Sequence, residues 1–325
     1  MYTSAFAAAC CGDPTHPDFK HFLMAPLALM FNALVWGLSW WPFRYFQAAG
    51  LHPLWTTVAI YLVAVLVISL RARRAWGEVV RSPALWVLLL SSGVTNMAFN
   101  WGVALGDVVR VVLLFYLMPL WTVALARLLL DERLGGFAAL RMALALGGAA
   151  IVLMPAGGGF PLPRSLADGL GVLGGFGFAL TNVMLRREAQ RASPTARALA
   201  MFGGGVVVAG GVAIALSASG FIAWPQPSGE RWMLPVLLPL ALMALLFFAS
   251  NLALQYGAAR LPANVTSVVM LIEVPVAALS ALWLGGGALD TKTALGGACI
   301  LAAALLSAVE PAATMATHSP PEPVP

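Results

Sequence analysis

Residues 96–102 read Asn-Met-Ala-Phe-Asn-Trp-Gly, and residues 251–257 read Asn-Leu-Ala-Leu-Gln-Tyr-Gly, 155 positions later. Each stretch lies in a long apolar run. Each is followed at almost the same offset by a proline, Pro119 and Pro275. Asn96 and Asn100 are spaced i, i+4, as are Asn251 and Gln255, so each pair shares one helix face. A polar pair that recurs inside apolar sequence marks a duplicated unit. Reading outward, five apolar runs fall in each copy. With an odd number of spans per copy, the second enters the membrane the opposite way up. The expected fold is therefore an all-α integral membrane protein, with ten transmembrane helices as two inverted five-helix repeats around a central cavity.

Composition agrees with a membrane setting. The chain has 325 residues, 61% hydrophobic and only 10% charged, against about 25% charged in soluble domains. That is too little charge to cover a water-facing surface. Apolar stretches approach the roughly 20 helical residues that cross a hydrocarbon core. Polar breaks place the spans near 25–46, 53–70, 83–105, 108–127, 137–155, 167–187, 197–219, 233–257, 261–285 and 291–309. Pro26, Pro53, Pro83 and Pro262 suit first helical turns, where no backbone N–H is needed. Asp168 suits a cap on the sixth span. The expected domains are an N-terminal tail (1–24), a first repeat (25–155), a linker (156–166), a second repeat (167–309) and a disordered C-terminal tail (310–325). The apolar run Ala5–Cys11 is short, and no positive charge precedes it, unlike the start of a signal peptide.

The net charge is +5. The basic residues cluster in short loops, which argues for membrane orientation and against nucleic acid. Thirteen of the 18 lysines and arginines fall on the side that holds the N-terminus. Both termini are therefore expected in the cytoplasm of a multi-pass cell (inner) membrane protein.

Few residues can carry chemistry. Glu273 is a carboxyl within the ninth span, where ionisable groups are costly and mark function. It can neutralise a cationic substrate or bind a proton. The structural alternative is a side chain bonded to a neighbouring helix near a break at Pro275. The amides Asn96, Asn100, Asn251 and Gln255 would face each other across the cavity and suit zwitterionic or polar substrates. Interhelical glue is the alternative. Trp36, Trp101, Tyr116 and Tyr256 can stack on an apolar or aromatic ligand, and Asn32 and Asn182 are further cavity candidates. Asp107 and Arg110, spaced i, i+3, read as a surface ion pair or an outer gate. Gly171, Gly175 and the glycines at 203–205 and 210–211 suit close helix packing.

Absences narrow the function. All four histidines lie outside the expected spans, and the three cysteines lack metal-ligand spacing. No metal site and no cofactor is expected. There is no P-loop and no nucleophile–base pair within a span, so no catalytic residue is assigned. Inverted repeats are a device of secondary transporters, which bind substrate near the bilayer midplane.

Three segments carry a family resemblance: Asn32–Gly37 (NALVWG), Leu113–Arg133 (LLFYLMPLWTVALARLLLDER) and Leu271–Leu284 (LIEVPVAALSALWL). They resemble the EamA-type ten-helix transporters of the drug/metabolite transporter superfamily, over about residues 27–308. The resemblance implies a cavity lined mainly by spans 1, 3, 4, 6, 8 and 9. It also implies an exporter of a small metabolite such as an amino acid or apolar compound, with protons as a candidate coupling ion. The second copy departs from the pattern: Gly285–Gly287 and Asp290 stand where the first has Glu132. Two alternatives stand beside this reading, an exchanger of phosphorylated sugars or nucleotide sugars, and a membrane enzyme or lipid-handling protein. The first wants cationic residues deep in the cavity, but the arginines lie near span ends.

The charge asymmetry has a direct test. A single cysteine at Arg73 is expected to resist an impermeant thiol reagent on intact cells; labelling from outside reverses the orientation.

Overall fold

The computed structural model describes residues 17–130, 136–154, 162–188, 190–226, 233–258 and 269–309. Among these the chain is helical, without strands. The helices are α1 (Pro17–Leu38), α2 (Trp40–Ala48), α3 (Pro53–Arg71), α4 (Arg74–Arg81), α5 (Pro83–Leu105), α6 (Val108–Phe115) and α7 (Met118–Leu130). They continue with α8 (Gly136–Leu153), α9 (Leu166–Arg187), α10 (Pro194–Ala218), a π-turn (Met233–Leu237), α11 (Leu238–Ala258), α12 (Glu273–Leu284) and α13 (Thr291–Val309).

Local chemistry starts these helices. Pro53, Pro83 and Pro194 occupy first turns, preceded by His52, Ser82 and Ser193, whose side chains accept from the backbone N–H of Leu54, Leu85 and Ala196. Burial pushes the His52 imidazole below its usual pKa, which keeps it a neutral acceptor. Pro26, in contrast, lies inside α1. The sixth span is capped by Ser165 Oγ, which accepts from Asp168 N at 3.0 Å. Pro262, residues 156–161 of the expected linker, and the expected tails up to residue 16 and from residue 310 lie outside the described residues.

Six segments among the described residues are long and apolar enough to cross a membrane, and α4 with α5 makes a seventh bent by 96°. Three apolar helices are shorter: Met142–Leu153, Glu273–Leu284 and Thr291–Leu306. The ten-span expectation thus meets six or seven full-length spans.

The bend before α5 has a simple cause. Pro83 disfavours helical backbone at the residue before it, and Ser82 is extended at φ −106°, ψ 108°. The sequence suggests a loop over 71–82, where the structure has α4. Two long segments break, and a turn precedes α12. α1 gives way to α2 at Ser39, whose Oγ donates to Trp36 O at 2.7 Å, a local bond that competes with the helix ladder. The other break lies at Tyr116–Leu117, just before Pro119, and the turn at Leu271–Ile272, just before Pro275. A proline cannot donate to the carbonyl four residues back and clashes with it.

The packing pairs up. α5 packs on α9 and α11 on α1; α5 on α10 and α11 on α3; α6 and α7 on α9 and α12 on α1. α3 with α10, α8 with α13 and α6 with α12 each form their own pair. Every one of these contacts is preserved if the helices of the expected first repeat, α1–α8, are exchanged in order with those of the expected second, α9–α13.

Glycines make the seams. A Cβ on Gly148 would lie 2.6 Å from Gly296 O, and one on Gly296 2.6 Å from Gly148 O, so α8 and α13 meet backbone to backbone. Gly93 of α5 likewise meets the Gly204 carbonyl of α10, and Gly204 meets the Leu89 carbonyl. Without a hydrophobic drive between helices in lipid, such close approach supplies the packing. Gly171 and Gly175 fit against the Val111 and Phe115 carbonyls of α6, within the molecule. Gly211 has nothing within 4 Å. Gly204→Val is therefore expected to abolish a monodisperse, folded protein in detergent, while Gly211→Val unfolds at the wild-type temperature.

Candidate functional site

At the proline-associated break and turn the chain places its most unusual polar contact. Glu273 is the first residue of α12 and is 7% exposed. Its Oε2 accepts from the Tyr116 hydroxyl at 3.2 Å, and that hydroxyl also lies 3.4 Å from Met270 O. Tyr116 is 2% exposed and sits at the break between α6 and α7. The contact therefore joins the break of the α6–α7 segment to the start of α12, one from each expected repeat. Small residues let the flanking helices close over both. Gly37 of α1 abuts the Glu273 carbonyl, where a Cβ would come within 2.9 Å, and Gly175 of α9 abuts the Phe115 carbonyl.

The amides are arranged differently from facing ladders. Asn96 Nδ2 donates to Ser92 O at 2.8 Å, and its Oδ1 accepts from the Tyr61 hydroxyl of α3. Asn100 Nδ2 donates to Thr57 Oγ1 of α3 at 3.1 Å. Asn251 Nδ2 donates to Phe247 O of its own helix at 3.0 Å. The side chain of Gln255 lies outside the described residues, although its backbone belongs to α11. Asn32 of α1 reaches across to α11, donating to Ser250 O at 3.0 Å and Ser250 Oγ at 2.6 Å. Among the described residues Asn32 Oδ1 and Asn100 Oδ1 are buried with no partner, as is Trp121 Nε1. Buried orphans of this kind cost about 1–3 kcal/mol each.

A chain of aromatic rings runs between these groups. From Tyr116 it passes through Phe115, Phe99, Trp36 and Phe247 to Tyr61, with centroids 6.0, 4.9, 5.9, 5.0 and 6.4 Å apart. Trp36 thus lies at the centre, among rings. Trp101 lies at one end of the bundle, 5.4 Å from the His52 ring. Tyr256 borders a cleft of about 370 Å³ lined by Met24, Leu27, Ala28 and Phe31. Asn182 is exposed on α9. Ser250, Thr57, Tyr61 and Trp121 carry no distinctive signal in the sequence. Hydroxyls and indoles inside spans read as ordinary there, and only the partner across the helix gives them weight.

The end of the bundle at the C-terminus of α5 is tied by arginines. Arg44 donates from Nε to Val103 O at 3.2 Å, and from Nη2 to Gly106 O and to Gly286 O, the last at 3.0 Å. Asp107 accepts from Arg110 N at 2.9 Å and Ala288 N at 2.7 Å. Asp107 and Arg110 do not pair side chain to side chain, as the sequence suggested. Arg110 instead forks onto Asp168 at 2.6 and 3.0 Å and donates to Val152 O at 2.7 Å. Spacing alone favoured the nearer carboxylate; the packing of α6 on α9 brings the farther one into reach. Among the described residues no cluster of His, Cys, Asp and Glu could hold a metal ion.

These features define a multi-pass membrane protein with a buried carboxyl beside a broken helix. Residues 23–154 match the EamA-like transporter family, in line with the drug/metabolite transporter superfamily. No curated protein sequence matches the chain. One solved structure, described as "Crystal structure of protein", is 21% identical over 87% of this chain and 96% of its own, with a TM-score of 0.48.

The two amides of α5 differ in a measurable way. Asn96→Leu strands the Tyr61 hydroxyl and is expected to lower stability by about 1–3 kcal/mol. Asn100→Leu removes an orphan and is expected to cost less. Thermal unfolding in detergent reads both.

Proposed function

We propose that this protein is a secondary active transporter of a small metabolite in the cell membrane, working by alternating access between two inverted five-helix repeats. The observation that carries the reading is the Glu273–Tyr116 contact between α12 and the break of the α6–α7 segment. Broken helices that expose polar groups inside the membrane are where transporters place substrates and ions. The exchange symmetry of the helix contacts supports the inverted arrangement.

In this reading Asn32, Asn100 and Trp121 offer unpartnered polar atoms to the substrate. Trp36 and the rings around it supply an apolar wall. Such a wall with few amides suits an amino-acid-like or apolar solute. Glu273 then serves as counter-charge to a cationic group or as the proton site. The Arg44 and Arg110 ties close one end of the bundle, and access from that end requires their main-chain bonds to break.

Glu273→Gln tests the reading whatever the substrate. Metabolites in the medium are compared for cells expressing wild type, Glu273→Gln or no protein. One or more compounds are expected to accumulate with wild type only. In liposomes, loss of pH-driven accumulation with exchange retained assigns the proton role. Loss of both in a folded variant assigns substrate recognition. Wild-type transport with wild-type pH dependence in the variant overturns both roles.

A further inference from the structure

At the opposite end of the bundle, α4 divides its side chains into three faces. At about 100° per residue, Ala75 and Val79 point one way and are 2% exposed each. Trp76 and Val80 point another way and are 44% and 64% exposed. Arg74, Glu78 and Arg81 form the third face. The 96° bend at Ser82 turns α4 across the end of α5. An amphipathic helix at right angles to a membrane span lies along the membrane surface. Its exposed Trp76, and Trp86 just beyond the bend, suit the boundary between headgroups and acyl chains.

The third face borders a cleft of about 620 Å³, lined by Arg73, Arg74, Arg81 and Arg191 together with Glu78. The single carboxylate is already engaged. Glu78 Oε2 accepts from Ser193 N at 3.0 Å and Oε1 from Ser193 Oγ at 2.9 Å, fastening α4 to the start of α10. Arg191 makes only a loose approach to Glu188, at 3.9 Å. The guanidinium groups of Arg73, Arg74 and Arg81 have no hydrogen bond or ion pair among the described residues. Three or four forked donors therefore surround an opening whose one lining carboxylate, Glu78, is bonded to Ser193.

We propose that this cleft binds the phosphate group of an anionic phospholipid. Guanidinium forks match phosphate oxygens in geometry as well as charge. The exposed apolar face of α4 decides between lipid and soluble phosphate. Trp76, Val80 and Trp86 lie beside the arginines, where acyl chains would run, and a free anion gains nothing from them. The lipid would hold α4 against the membrane surface and, through Glu78 and Ser193, hold the start of α10. This site is independent of the transport reading, since it shares no residue with the Glu273 region.

The test uses the full-length protein purified in a neutral detergent, with lipid retention read by native mass spectrometry. Phosphatidylglycerol is expected to be retained in preference to phosphatidylcholine. Replacing Arg74, Arg81 and Arg191 with Gln is expected to weaken that retention by roughly fivefold per arginine, the scale for a basic residue near an anionic surface. Arg127→Gln, an exposed arginine at the same end of the bundle, is expected to leave it unchanged. Equal retention of the two lipids by wild type overturns the proposal. So does unchanged retention in the triple variant, or an equal loss with Arg127→Gln. Displacement of phosphatidylglycerol by an equal concentration of inorganic phosphate would identify a soluble-phosphate site and overturn the lipid assignment.

Discussion

Inside a bilayer every backbone group must find its partner within the protein, and Pro119 and Pro275 each deny a helix one of its bonds. The interruptions at Tyr116–Leu117 and Leu271–Ile272 are the answer to that constraint. Irregular backbone at such depth is tolerated where protein buries it. Here the two interruptions are covered by each other through Tyr116 and Glu273, and by α1 and α9 through Gly37 and Gly175. A carboxyl, a phenol and two glycines thus belong to one arrangement.

That arrangement needs helices that can come close, and the glycine seams allow it. Gly93 against Gly204, and Gly148 against Gly296, bring main chains together where any Cβ would collide. The apolar side chains fill what remains: Phe43, Phe46, Phe247 and Leu114 are essentially fully buried. The centre is therefore aromatic and tightly packed, with the unsatisfied Asn32 and Asn100 oxygens as its exceptions.

The two ends are held by different physics. At one, Arg44 binds three carbonyls, Val103 in α5 and Gly106 and Gly286 in two separate loops, and Arg110 is forked onto an almost fully buried Asp168. Such a pair adds little net stability over an apolar contact, but losing one partner would cost about 3–5 kcal/mol. Its value lies in fixing which loops meet. At the other end, α4 is held by the buried Ala75 and Val79 and by Glu78 on Ser193, and the guanidinium groups of Arg74 and Arg81 are unengaged among the described residues. One end is internally satisfied; the other presents charge outward.

The sequence by itself determined that the chain is apolar and helical, with an Asn-x-x-x-Asn/Gln motif that occurs twice. The duplicated Asn-x-x-x-Asn/Gln motif, the prolines and the lack of charge are local facts that need no folding to be read. The limits of α5 follow for the same reason: 83–105 is the expected span, and Pro83–Leu105 is the helix. The burial of Glu273 was also legible, because this carboxyl lies within apolar sequence. Only tertiary structure decided who meets whom. Asn96 turns to Tyr61, Arg110 chooses Asp168 over Asp107, and Tyr116 finds Glu273, 157 residues away. The helix α4 was also hidden, because eight residues rich in arginine read as a loop until the bend at Ser82 lays them across the bundle end. Periodicity encodes which face of a helix is polar. It does not encode which neighbour that face will meet, because that is set by the approach distances the glycines permit.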